Sequence, residues 1–136
     1  MILFILQNAY KNDKHPFTNS EEWSRELLRS HTGRRLQEMI PANADYKVIN
    51  ASEEIGNNPD SIFKGNVEHV SGWIEKLKPD IIVACGRVAQ QLCCDMKIKY
   101  LPVPHPAWRR LSKRETTETR IYLSNKIYFY EVKWNL

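Results

Sequence analysis

Met1-Ile2-Leu3-Phe4-Ile5-Leu6-Gln7, at the head of the chain, sets an unbroken apolar run in front of a polar side chain. A strand with one wet face would alternate apolar and polar residues, so this run reads as a strand buried on both faces of a parallel sheet. It ends in two side-chain amides, Gln7 and Asn8. Three later segments have the same character. Tyr46-Lys47-Val48-Ile49-Asn50 reads as a short second strand that also ends in an amide. Asp80 to Cys85 reads as a third, broken at Gly86, and Lys99 to Val103 as a fourth that runs into His105.

Helical patterns lie between these strands. Thr18 and Asn19, with Glu21 and Glu22 three places on, make a capping box, and Trp23, Leu27, Leu28, Leu36 and Met39 give a stripe up to Pro41, with Gly33 as a point of interruption. Ile62, Phe63, Val67, Val70, Ile74 and Leu77 form the apolar face of a second helix that stops before Pro79. Arg87 to Asp95 is a short third helix with Val88, Ala89 and Leu92 inward. The tail from Thr116 to Leu136 fits a fourth helix capped near Thr116 or Thr117, although Ile127 to Val132 has the composition of a strand.

Strands alternating with helices predict an α/β fold, a three-layer αβα arrangement with a central four-stranded parallel sheet, and 136 residues fit a single domain spanning 1–136. Ligands of such sheets bind beyond the carboxyl ends of the strands. Each expected strand end carries a functional group: Gln7 and Asn8, then Asn50, then Gly86, then His105. The plain alternative is that strand ends leave the core and tend to be polar for that reason.

Bulk properties narrow the function classes. Twenty basic against sixteen acidic side chains give a formal charge of +4, compatible with a nucleic-acid partner without requiring one. Between Arg109 and Arg120 the basic residues Arg109, Arg110, Lys113, Arg114 and Arg120 outnumber Glu115 and Glu118, which suits phosphate binding or a solvated face. Three cysteines, two of them adjacent, offer no CxxC pair and no zinc-type spacing, so neither a metal, a cofactor nor a disulfide framework is expected. The N-terminal apolar run is too short for a signal peptide and lacks a basic start, and no apolar run is long enough for a membrane span. An intracellular, cytoplasmic monomer is the expectation.

The stretch Leu101 to Arg110, LPVPHPAWRR, carries the clearest chemistry. Pro102, Pro104 and Pro106 fix the backbone around His105, and Trp108, Arg109 and Arg110 follow it with an indole for stacking and guanidiniums for phosphate. Its bland reading is a proline-stiffened surface turn.

Taken together, the motifs resemble those of the uracil-DNA glycosylase superfamily. Leu6-Gln7-Asn8-Ala9-Tyr10 is similar to its first motif, of Gly-Gln-Asp-Pro-Tyr type, and His105-Pro106-Ala107-Trp108-Arg109 to its second, the His-Pro-Ser segment after the last strand. Val48-Ile49-Asn50 resembles its strand ending in a base-reading asparagine, and Cys85-Gly86-Arg87-Val88-Ala89-Gln90 its Gly-x-x-Ala segment. Order and spacing agree from Met1 to about Arg110. Leu6 stands in place of glycine, Asn8 in place of the commonest catalytic aspartate, and Ala107 in place of serine; some branches carry asparagine at the position of Asn8. The four cysteines that hold an iron–sulfur cluster in some branches are absent.

The resemblance implies hydrolysis of a base from DNA, single- or double-stranded, after the nucleotide flips out of the helix. His105 and Asn8 would be catalytic, the first stabilising the departing base and the second positioning water. Asn50 would read the base, or else form a turn before Ala51-Ser52. Phe17 would stack on it, or staple the first helix; Tyr10 would wall the pocket, or cover the sheet end; Gln7 would contact the base, or simply end a strand. Gly86, Arg87, Trp108, Arg109 and Arg110 would hold DNA, with Trp108, Arg109 or Arg110 either wedging into the space left by the flipped nucleotide or holding phosphates, and with Gly86 also explicable as a tight strand-to-helix turn. His15, His31 and His69 read as surface residues. Two other classes stay open: a base- or DNA-binding module of this fold that does not cut, and an unrelated flavodoxin-like nucleotide-binding or interaction domain.

Overall fold

A computed structural model describes residues 1–8, 27, 29–57, 61–108 and 110–134, with side chains of the last helix described as far as residue 126. Strand β1 (Ile2–Leu6) lies between β2 (Tyr46–Asn50) and β3 (Ile81–Cys85), β4 (Leu101–Val103) lies beyond β3, and every neighbouring pair is parallel. All five residues of β1 are buried, as its unbroken apolar run requires. Their two-residue period divides them between two cores: Ile2, Phe4 and Leu6 on one face, Leu3 and Ile5 on the other.

Helices α1 (His31–Met39) and α4 (Lys113–Trp134) cover the first face through Leu36, Met39 and Leu123. Helices α2 (Val67–Leu77) and α3 (Arg87–Asp95) cover the second through Val70, Ala89, Leu92 and Cys93. Right-handed crossovers explain the division. The chain steps one way across the sheet from β1 to β2 and the opposite way from β2 to β3 to β4, so α1 falls on one face and α2 and α3 on the other. The result is the three-layer αβα fold with its four-stranded parallel sheet. No helix among the described residues is long and apolar enough to cross a membrane.

Element boundaries differ from expectation where a local hydrogen bond decides them. The stripe from Trp23 to Met39 is not one continuous helix. Ser30 is extended, its Oγ accepts the Gly33 N–H at 3.0 Å and donates to Leu27 O at 2.6 Å, so it closes one turn and caps the next. Gly33 is thus a first-turn residue of α1 instead of an interruption. Thr18, Asn19 and Trp23 lie outside the described residues.

Ile62 and Phe63 precede α2 instead of lining it, and Ile62 is exposed. Asn66 sets the start: its side chain accepts the His69 N–H at 3.1 Å, and its own N–H reaches Ala51 O at 2.7 Å. The Leu92 side chain lies 3.0 Å from where a Cβ on Gly65 would stand, so the non-helical approach passes tightly over α3. β4 is shorter than the expected Lys99 to Val103, and Pro102 sits within it, which an edge strand tolerates. The tail is helical throughout 113–134, including the strand-like stretch, and begins at Lys113, ahead of the expected cap at Thr116 or Thr117, because Ser112 Oγ accepts the Glu115 N–H at 3.1 Å. Buried Thr116 donates to Glu38 at 2.8 Å and ties α4 to α1.

Candidate functional site

The strand register puts Asn50 opposite Leu6 of the neighbouring strand, two residues before Asn8. Leu6 and Val48 belong to the core on the α1 and α4 face, so the two-residue period turns Asn50 towards that side, and Asn8 follows β1 two residues beyond Leu6. Asn50 is 1% exposed, and neither its Nδ2 nor its Oδ1 has a hydrogen-bond partner. Each buried, unpaired polar group costs about 1–3 kcal/mol. The turn-forming alternative is excluded, because a turn asparagine gives its Oδ1 to nearby backbone N–H groups. Here those groups are engaged elsewhere: Ala51 N with Leu6 O at 3.0 Å and Ser52 N with Gln7 O at 3.1 Å. Asn8 is also buried. The Gln7 amide donates to Ser61 O at 3.4 Å, which ties the end of β1 to the approach to α2.

His105 follows β4 on its proline-stiffened loop. Its Nδ1 accepts the Ala107 N–H at 3.0 Å, so in the neutral ring the proton sits on Nε2. Desolvation favours that neutral form and lowers its pKa from 6.5 to about 4. The opposite wall is Gly86, with φ +89° and ψ 175°; a Cβ there would stand 3.1 Å from His105 Cβ. Gly86 is therefore more than a tight turn, since its missing side chain is what lets the imidazole sit down. Gly86→Ala is expected to cost about 1–3 kcal/mol, because that backbone region suits glycine alone. A lowered urea midpoint at unchanged slope would show it, and an unchanged midpoint would refute the strain.

A cleft of about 490 Å³ opens between the start of α3 and the proline-rich loop, with Gly86, Arg87, Gln90, His105 and Trp108 in its wall. Trp108, Arg87 and Arg110 are exposed there or beside it. Gln90 was not foreseen. Its Nε2 donates to Val103 O at 3.0 Å and Ala84 O at 3.3 Å, so it joins the ends of β3 and β4 beneath His105. The available signal was donor bookkeeping: Pro102 and Pro104 have no N–H, so a side-chain donor on that edge is a natural remedy. Tyr10, Phe17 and Arg109 lie outside the described residues.

His31 is exposed as expected, but His69 is not a surface residue. Its side chain is 10% exposed, with Nδ1 2.7 Å from Glu53, because the cap at Asn66 turns the first coil of α2 against the chain that follows Asn50. His15 lies outside the described residues. Cys85, at the end of β3, is buried, and burial pushes its thiol up, so it supplies no thiolate. Among the described residues no three His, Cys, Asp or Glu side chains group so as to hold a metal.

Fold and site together define an α/β protein of strand order β2-β1-β3-β4 with its polar groups gathered at the carboxyl ends of the strands. A family model described as the Uracil DNA glycosylase superfamily matches residues 2–126, and the chain belongs to that superfamily. Membership supports a glycosylase-type hydrolase at the level of the family, and the superfamily acts on DNA. No curated protein matches the chain.

Proposed function

We propose that this protein is a DNA glycosylase that hydrolyses the N-glycosidic bond of uracil, or of a related modified pyrimidine, once the nucleotide has flipped out of the helix. The orphaned amide of Asn50 carries this reading. A buried side chain with an unpaired donor and an unpaired acceptor is costly by itself and complements the O4 and N3–H edge of uracil. Cytosine, whose N3 accepts and whose N4 donates, would need the amide turned over.

Cleavage leaves negative charge on the departing base, and His105 is suited to meet it. Its Nε2–H, fixed by the Ala107 contact to Nδ1, donates to the developing oxyanion without carrying charge itself. β1 and β3 lie between Asn50 and His105, a span of about 14 Å between strand axes. In this reading the base lies across the ends of β1 and β3, between the two side chains. Asn8 positions the attacking water, but an amide cannot take its proton, so turnover is slow. Phe17 stacks on the base, Tyr10 walls the pocket, and Gln7 holds the strand end near it. Gly86, Arg87, Trp108, Arg109 and Arg110 hold the DNA, with the N-terminus of α3 and the guanidiniums on phosphate. All assigned groups come from one chain, so a monomer suffices.

The second reading, a module that binds a base without cutting, is favoured by Asn8 and Ala107 standing where the superfamily commonly has aspartate and serine. Base release from single- and double-stranded oligonucleotides bearing uracil, hydroxymethyluracil, thymine mismatches or hypoxanthine separates the two. Slow release from a pyrimidine substrate is expected for the wild type, and about tenfold or more faster release for Asn8→Asp, since a buried carboxylate has a raised pKa and makes a competent base. No release by either protein from any substrate, with DNA still bound, would establish the non-cutting module.

A further inference from the structure

The proline-rich loop ends in two consecutive turns. The Trp108 N–H donates to His105 O at 2.9 Å, and the Leu111 N–H donates to Trp108 O at 3.1 Å. The Trp108 peptide is therefore the joint between the turn that carries His105 and the hydrogen bond that leads on to Leu111. Leu111 is buried in the core, whereas Trp108 is 46% exposed.

Arg35, on α1, reaches this joint from another part of the fold. Its Nη1 donates to Trp108 O at 2.8 Å and its Nη2 donates to Leu111 O. A guanidinium offers parallel donors in a rigid fork, and this fork spans the carbonyls of Trp108 and Leu111. With its donors turned on its own loop, Arg35 acts through that loop and not on DNA directly. The same helix holds α4 through Glu38 and Thr116, so α1 fixes both the loop and the helix that follows it.

We infer that Arg35 is a positioning residue for Trp108: it clamps the 108–111 turn so that an exposed indole stands on an ordered backbone, ready to enter the stack beside a flipped nucleotide. The inference rests on the DNA reading above for its ligand, but not for its geometry. A tryptophan anchored through its backbone N–H and C=O meets DNA without the ordering cost that a mobile loop would bring.

The test compares wild type, Arg35→Ala, Arg35→Lys, Trp108→Ala and the Arg35→Ala/Trp108→Ala double variant. Native-state hydrogen exchange is read at the amides of Trp108 and Leu111 and in β1 and β3, and affinity is read for a duplex holding an abasic-site analogue. In Arg35→Ala, exchange at 108 and 111 should rise about tenfold or more while β1 and β3 stay as in wild type. Affinity should fall about tenfold, the double variant should lose little more than the worse single, and Arg35→Lys, able to serve one carbonyl, should lie between. Unchanged exchange at 108 and 111 overturns the clamp. An equal rise in β1 and β3 overturns it too, by making Arg35 a general stabiliser. Losses that multiply in the double variant overturn the link to Trp108. A wild type that does not bind the duplex is a failure of the DNA reading and is visible as such; the exchange measurements then decide the clamp alone.

Discussion

Asn50→Leu is expected to raise thermal stability and abolish base release in the same protein. The side chain is 1% exposed, both amide atoms lack partners, and its neighbours on that face, Leu6 and Val48, are core residues. Leucine has nearly the same reach and no polar atoms, so the exchange removes a desolvation penalty of about 1–3 kcal/mol for each unpaired group it replaces. A rise in midpoint of several degrees by calorimetry would register it. The same exchange removes the donor and acceptor that meet the base, and sites built to hydrogen-bond a ligand discriminate by about a hundredfold or more through such groups. Stability and function thus move in opposite directions, which a residue retained for packing alone would not produce. A leucine variant less stable than wild type would mean that the amide is satisfied in the free protein, and the base-reading role would lose its main support.

Much of this architecture was legible because burial leaves a pattern that needs no knowledge of the fold. Six apolar residues in succession require two covering layers, and β1 has them. The strand-end residues followed from the topology, since a parallel sheet with helices on both faces leaves its carboxyl ends as the place where side chains converge. Periodicity could not locate the breaks at Ser30 and Asn66. Apolar spacing persists through both, and only a side-chain hydrogen bond to a particular N–H ends one segment and begins the next. Gln90 and Arg35 were hidden for a different reason. Their partners are backbone carbonyls up to 76 residues away, and a carbonyl has no sequence signature. The prolines revealed that His105 is rigid, but which ring nitrogen carries the proton depends on the Ala107 N–H, and that is a matter of geometry.

The largest loss of activity is expected from His105→Ala. Removing one donor to a developing oxyanion costs about a hundred- to a thousandfold in rate, and no other described side chain of the cleft offers a neutral imidazole donor. The pH dependence identifies the form that acts. With its pKa lowered to about 4 by desolvation, His105 is neutral through the whole range in which an ordinary histidine would titrate near 6.5. Single-turnover base release should therefore show no step from this residue between about pH 5 and 8, and should change only as pH approaches the lowered value. Stability follows the same sign. The unfolded chain takes up a proton below about 6.5 while the folded protein does not, so the contribution of neutral His105 is fully present above that pH and is lost as pH falls from 6.5 towards 4. In His105→Ala the acid-side loss of stability should be smaller, which calorimetry at about pH 4.5 and pH 7 can read. A rate step near pH 6.5 that disappears in His105→Ala would mean a solvated imidazole that titrates as an ordinary histidine, and the burial of His105 against the Gly86 wall would then not have the role assigned to it.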